Sequence, residues 1–318
     1  MAKVIDHLKQ ANKTLFSFEI LPPTTGESIQ TLFDNISPLM EFKPKFIDVT
    51  YHREEKLMKK TPSGLYEQRS VRKRPGTVSI CAALMHKFHV DTVPHILCGG
   101  FTKEETEYAL IDLNFLGIDN ILALRGDAMK SDSSFIPTVG GHKYAADLVS
   151  QIHNMNRGIY LDDELMNPTP TKFCIGVAGY PEKHFESPNI KTDLFHMKQK
   201  VAAGADYIVT QMFFDNKKFF DFVDRCRAEG ITVPIIPGLK PITKKSQLYD
   251  IPSRFFIDFP EEFTDAVLKC KTDTEVRQVG VEWSINQCKE LIKAKVPCLH
   301  FYSMGKATSI AQIAGALY

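Results

Sequence analysis

No stretch of the chain approaches the roughly 20 consecutive apolar residues of a membrane-spanning helix. The first residues, MAKVIDHLKQANK, interrupt their apolar positions with charge and lack the core of a signal peptide. The expectation is a cytoplasmic protein with no membrane partner. Net charge is also nearly absent, with 39 Lys and Arg against 38 Asp and Glu. A balance that even leaves no chain-wide field to attract nucleic acid or an anionic surface. The seven cysteines are odd in number, widely spaced and free of any C-x-x-C pair, so they are expected as reduced, buried, small apolar residues. His86 and His89 form an H-x-x-H, but no third ligand follows at a recognisable spacing, and no metal is expected. Linkers rich in Gly, Pro or Ser are missing, as are internal repeats, which predicts one domain over residues 1–318.

What the chain does have is alternation. Short β-branched or aromatic runs recur between helical patterns: 16–20, 46–51, 92–97, 120–124, 173–180, 207–214, 233–239 and 298–304. The stretches between them include KEETEYALIDLNFLG behind the N-cap candidate Thr102, KTDLFHMKQKVAAG, NKKFFDFVDRCRAEG and TDTEVRQVGVEWSINQCKELIKAK. Eight strands with helices between them, and no G-x-G-x-x-G after the first, predict an α/β fold of the closed (β/α)8 barrel type over a Rossmann sheet. Two polar stretches, 52–74 and 156–171, look like insertions on that frame.

In such barrels a site is assembled at the C-terminal ends of the strands. The ends here offer Glu19; Thr50 and Tyr51; His95; Arg125, Gly126 and Asp127; Tyr180, Glu182 and His184; Gln211 and Asp215; Lys240; and His300, Tyr302 and Lys306. Polar residues also mark where any strand leaves a core, but a polar, partly aromatic rim at every end is the layout of an active-site mouth. Glu19 in FSFEILPP is the most informative of them. The strand period of two puts Ser17, Glu19 and Leu21 on the face opposite Phe16, Phe18 and Ile20. If that face points inward, desolvation raises the carboxyl pKa and suits a general acid; the alternative is a salt bridge across the barrel. In LRGD, 124–127, a glycine between a guanidinium and a carboxylate lets backbone approach a ligand. An adhesion role for that tripeptide fits poorly with a strand end in a chain without an export signal. Two further readings stand beside an acid–base enzyme: a non-catalytic ligand-binding barrel, and a lyase using Lys240 as a Schiff-base amine.

Taken in order, FSFEILPP, KPKFIDVTY, PHILC, NILALRGD, AGYPEKH, AGADYIVTQMFFD and IIPGLKP resemble the methylenetetrahydrofolate reductase family over nearly the full length. The resemblance implies a (β/α)8 barrel holding non-covalent FAD. It also implies a ping-pong reaction in one-carbon metabolism and methionine biosynthesis, in which NADH or NADPH reduces the flavin and 5,10-methylenetetrahydrofolate then takes the hydride. By motif, Glu19 is similar to the general acid that assists opening of the methylene bridge, and Asp127 to the aspartate that contacts the pterin and tunes the flavin. Thr50, His95, Leu124, Arg125, Gly126, Asp127, Tyr144, Ala145, Tyr180, His184, Asp193 and Lys200 match FAD-holding positions. Gln211 and Gln247 match substrate-side glutamines. Chemically, Arg125, His184 and Lys200 can offer charge and donors to a pyrophosphate, and Asp193 an acceptor for hydroxyls.

Three places depart from the family pattern. A longer loop begins at Ala128 where many members have a proline pair, Lys306 stands on the substrate side where an arginine is expected, and Ile251 replaces a nicotinamide-stacking aromatic of some bacterial members. Relatives commonly self-associate, so a homo-oligomer is expected. The chain ends after SIAQIAGAL, from which no regulatory domain and no control by S-adenosylmethionine are expected.

Overall fold

The structure, a computed structural model, describes residues 2–318 except 130, 131, 133, 304 and 306, and leaves the side chain of residue 56 undescribed. Lys306, a substrate-side residue by resemblance, therefore lies outside the described residues.

Each of the eight apolar runs becomes a strand of one barrel. They are β1 (Leu15–Ile20), β2 (Phe46–Val49), β5 (Asp91–Leu97), β6 (Asn120–Leu124), β7 (Cys174–Gly179), β8 (Tyr207–Met212), β9 (Ile235–Leu239) and β10 (Cys298–Tyr302). All neighbours run parallel, and the order β1-β10-β9-β8-β7-β6-β5-β2 closes where β1 pairs with β2. Parallel neighbours need crossovers, and helices supply them. They include α2 (Ile29–Met40), α3 (Thr77–Phe88), α4 (Lys103–Phe115), α5 (Ala145–Met155), α6 (Ile190–Ala202), α7 (Asn216–Ala228), α8 (Gln247–Phe255) and α10 (Asp273–Lys293), with α11 (Thr308–Leu317) after β10. The start of α4 is set by a reciprocal cap: Thr102 Oγ1 accepts from the Glu105 amide and Glu105 accepts from the Thr102 amide.

The core has two layers divided by the sheet. Phe16, Phe18 and Ile20 of β1 and Ile47 and Val49 of β2 face out and pack under the helices. Leu15, Phe46, Val93, Leu122, Cys174, Tyr207, Val209, Ile236 and Cys298 face in and fill the lower barrel. Helix α1 (Val4–Gln10) belongs with that inner cluster through Val4, and the Asn120 side chain ties it down by accepting from the Val4 amide at 2.8 Å. All seven cysteines are free and buried, as their spacing implied. Among the described residues, no helix is long and apolar enough to cross a membrane.

Both polar insertions have a structural account. Residues 52–74 carry an antiparallel hairpin, β3 (Glu55–Lys60) and β4 (Tyr66–Val71), an element the sequence reading did not anticipate. Its base is moored to the barrel mouth, where the Arg53 guanidinium donates to the Asp127 carbonyl at 2.8 Å and Arg74 donates to the Pro22 carbonyl. Residues 156–171 form a clasp. The Asn156 carboxamide bonds Thr171 and both backbone groups of Phe173, while the Leu161 amide donates to buried Glu107 at 2.8 Å. Ile159, Tyr160 and Leu161 wall a cavity of about 490 Å³ against α4 and α5 on the outer helical layer.

Candidate active site

Inward-facing positions near the C-terminal ends of the strands carry a knot of ionisable groups. Glu19 on β1 lies directly across from Asp48 on β2 and Tyr302 on β10. His95 projects from β5 between the two acids: its Nε2 is 3.6 Å from Glu19 Oε2 and 3.6 Å from Asp48 Oδ2. Glu19 is nine-tenths buried and Asp48 wholly so. Below them His300 accepts or donates through Nδ1 to Ser17 Oγ at 2.9 Å, and its ring stacks on Phe46.

Burial dominates the protonation states here. Desolvation pushes the Glu19 carboxyl up to about 7; His95 and Lys240 pull the other way, and Asp48 adds to the rise. The Asp48 carboxyl is likewise pushed up by burial, to about 6, with His300 opposing. Burial holds both His95 and His300 below the ordinary histidine value. The Lys240 ammonium, buried just beyond β9, is lowered to about 8 by desolvation against the attraction of Glu19. Among the described residues the two Asp48 oxygens, His95 Nε2, His300 Nε2 and the Tyr207 hydroxyl are buried without a hydrogen-bond partner. A native core rarely leaves so many polar atoms unpaired together.

Two glycines make this interior possible. A Cβ on Gly238 would lie 2.0 Å from the Thr210 carbonyl oxygen and 2.7 Å from the Tyr302 hydroxyl, and one on Gly176 would strike the Tyr207 ring at 2.4 Å. Bare backbone at Gly238 lets Tyr302 cross the barrel and donate to the Thr210 carbonyl at 2.6 Å. A cavity of about 230 Å³, lined in part by Ile20, Leu21, Pro22, Arg74 and Ser303, opens beside the end of β1.

A second cluster gathers on the rim over β6 and β7. Arg125, after β6, pairs with Glu186 and lies over the Phe135 ring at 4.9 Å. Tyr180, just after β7, packs edge-on against His184, with ring centroids 4.7 Å apart. Asp193, in the first turn of α6, is buried and accepts from Ser187 Oγ at 2.9 Å. Lys200, two turns further on, donates to the Ala178 carbonyl at 2.6 Å, and its ammonium is lowered to about 8 by desolvation despite Asp193. Burial raises the Tyr180 phenol, and the nearby charges of Asp127 and Asp193 add to that rise. Tyr302 feels both Glu19 and Tyr180, so the inner knot and the rim cluster are continuous.

The remaining positions singled out from the sequence are more dispersed. The Thr50 amide donates to the Ile20 carbonyl and its hydroxyl meets His52 Nε2 at 3.2 Å. Leu124 ends β6; Gly126 takes a left-handed φ of 86°; Asp127 is exposed. Tyr144 and Ala145 start α5, Tyr144 as its exposed N-cap. Gln211 sits at a register shift between Val209 and Met212 and accepts from the Met212 amide at 2.9 Å. Gln247 opens α8, where its side-chain Oε1 accepts from the backbone amides of Thr243 and Lys244 at 2.7 and 3.0 Å. Ile251 is buried.

Asp48 is the residue that sequence reasoning missed. Strand two was credited with Thr50 and Tyr51, yet alternation along FIDVT puts Phe46, Asp48 and Thr50 on one face, the same signal that singled out Glu19.

A closed parallel barrel with acid, imidazole and amine groups inside its C-terminal mouth, and cations on the adjoining rim, defines a (β/α)8 barrel protein with an acid–base centre. The chain belongs to the methylenetetrahydrofolate reductase family, whose model matches residues 3–317. It is 35% identical over 309 residues to methylenetetrahydrofolate reductase 1 of Schizosaccharomyces pombe, covering 96% of this chain and 46% of that protein. Against the 5,10-methylenetetrahydrofolate reductase of Pectobacterium carotovorum it is 32% identical over 294 residues, covering 92% of this chain and 86% of the relative. The chain thus spans about half the length of the eukaryotic relatives it matches. Among solved structures, a Clostridium thermocellum protein described as binding two copies of 5-methyl-5,6,7,8-tetrahydrofolic acid shares the fold. The TM-score is 0.58 and the identity 14%, over 98% of this chain and 97% of that one.

Proposed function

We propose that the chain reduces 5,10-methylenetetrahydrofolate to 5-methyltetrahydrofolate, drawing hydride from NADH or NADPH by way of non-covalent FAD in a ping-pong sequence. The observation that carries this reading is Glu19, a carboxyl raised to about 7 inside the barrel mouth of a chain of this family. Opening the methylene bridge of the folate requires a proton on one bridge nitrogen, which leaves the carbon as an iminium ready for hydride. A carboxyl with a value of about 7 is close to half protonated at neutral pH, where an ordinary glutamate is almost wholly ionised, and so is suited to deliver it.

The rim cluster fits the flavin cofactor by its chemistry. Arg125 and Lys200 offer cations to a pyrophosphate, His184 a further donor, and buried Asp193 an acceptor for hydroxyls. The left-handed turn at Gly126 keeps the backbone free of a side chain next to Arg125. Bound there, FAD supplies a two-electron carrier between nicotinamide and folate, and the chain supplies orientation and the proton. Thr50, Leu124, Asp127, Tyr144, Ala145 and Tyr180 complete the proposed cofactor wall, with Gln211, Gln247 and Lys306 assigned to the folate side. Hydride transfer between bound ring systems needs neither nucleic acid nor membrane.

Lys240 favours a second reading, because an amine lowered to about 8 could form a Schiff base with a carbonyl substrate. The two separate cleanly. Chain purified with FAD is expected to show a flavin absorbance that NADH or NADPH bleaches and 5,10-methylenetetrahydrofolate restores. A chain that takes up no FAD, and that borohydride links to a carbonyl compound at Lys240, would replace the first reading with the second.

A further inference from the structure

We propose that Asp48 is a positioning residue for the Glu19 proton: the two carboxyls share one proton across His95, and the charge on Asp48 keeps that proton on Glu19. This rests on the reading of Glu19 as proton donor.

The geometry is that of a carboxyl pair around one nitrogen. Glu19 and Asp48 are cross-strand partners on the inward faces of β1 and β2, and His95 Nε2 stands 3.6 Å from an oxygen of each. Asp48 is fully buried, yet among the described residues neither of its oxygens has a hydrogen-bond partner. A carboxylate kept only for structure is normally paired and bonded, because burying it otherwise leaves a charge with nothing to replace its lost hydration. Asp48 has in place of a partner a histidine within easy reach, whose Nε2 is itself unbonded.

The surrounding groups leave little else to fix the proton. Glu19 is faced by Asp48 from β2, His95 from β5, Lys240 from beyond β9 and Tyr302 from β10. Asp48 is faced by His300 from β10 and His95 from β5, and its charge reaches Tyr207 on β8, Cys81 on α3 and Cys298 on β10. Both histidines are held below their ordinary value, so near neutral pH the rings are uncharged and Lys240, on the Glu19 side, is the cation. A neutral His95 carrying hydrogen on Nε2 can donate to one acid only. Turned to Asp48, it satisfies the ionised carboxylate and leaves the Glu19 O–H pointing no bond inward, free for a ligand in the mouth. Burial orders the two acids in the same sense, Asp48 at about 6 and Glu19 at about 7, with the Asp48 charge among the causes that raise Glu19.

The test is the pH dependence of hydride delivery from the pre-reduced, FAD-loaded protein to 5,10-methylenetetrahydrofolate, in wild type, Asp48→Asn, Asp48→Ser and Glu19→Gln. In the wild type the rate falls as Glu19 loses its proton. Removing the neighbouring charge moves that alkaline limb about one pH unit lower in Asp48→Asn, and in Asp48→Ser should the amide variant not fold, with the rate retained below the limb. An infrared titration of the protonated carboxyl band lost in Glu19→Gln should show the same downward shift without any turnover. A purely structural Asp48 lowers amplitude or stability at every pH and leaves limb and band midpoint where they are; that result, or an upward shift, overturns the inference. If Glu19→Gln is inactive while the limb stays fixed in the Asp48 variants, only the inference fails. If Glu19→Gln turns over normally, the reading of Glu19 as donor fails with it.

Discussion

Glu19 occupies a position where an ordinary strand would place leucine or valine, and the cost of that choice should be visible in folding. Its carboxyl rises from an ordinary 4.5 to about 7, so the folded state holds a proton that the unfolded chain releases across that interval. The stabilisation is complete below the ordinary value, falls as pH rises, and is gone above the folded value. Asp48 acts in the same direction between 3.8 and about 6. A Glu19→Gln variant, isosteric and without charge, should therefore gain melting temperature relative to wild type as pH is raised from about 5 to about 8. Thermal denaturation at several pH values measures this, and a difference that stays flat would mean that Glu19 is solvated in the native state. Lys200 carries the opposite sign. Still a cation at neutral pH, it sheds its proton near 8 in the folded chain and only near 10.5 in the unfolded one, so its contribution to stability grows as pH climbs through that interval.

At the scale of elements, strand β9 illustrates how backbone makes room for function. Gly238 accepts the Tyr302 ring against its bare Cα and donates its amide to Thr210 Oγ1 at 3.0 Å. Gly238→Ala should destabilise the chain by about 3 kcal/mol, since the new methyl meets a carbonyl that cannot move without breaking the barrel ladder. Thr102→Ala, which removes the α4 cap at the surface, should cost about 1 kcal/mol. Urea denaturation of both variants checks the ranking, and equal losses would refute the close-packing argument. The same element-level physics explains what the sequence disclosed. All eight barrel strands were legible because parallel strands buried on both faces read as apolar runs, and α4 because its cap residues stand at the right spacing. The β3–β4 hairpin was not, since its strand YEQRSV is almost wholly exposed and carries no hydrophobic alternation. Asp48 escaped for a different reason. Alternation within one strand reveals which way a residue faces, but the Glu19–Asp48 pairing is set by register between strands, which only the closed barrel fixes.

Across the whole molecule, the barrel divides labour along its axis. The lower interior is apolar and closed by α1 through Val4; the upper interior holds the buried acids and imidazoles; the rim over β6 and β7 holds the cations. Residues that are far apart in sequence, such as Arg125, His184 and Lys200, meet at the rim because consecutive parallel strands deliver their loops to one end. Their convergence could be inferred from resemblance but not from any one segment. The proposed function has this arrangement hand a hydride and a proton to a folate through separate groups. Stopped-flow absorbance of Glu19→Gln, loaded with FAD, tests that proposal most directly. The account predicts that the flavin band still bleaches with NADH or NADPH at near the wild-type rate, and that its return on adding 5,10-methylenetetrahydrofolate slows by about a hundredfold or more. A return as fast as in the wild type would contradict it.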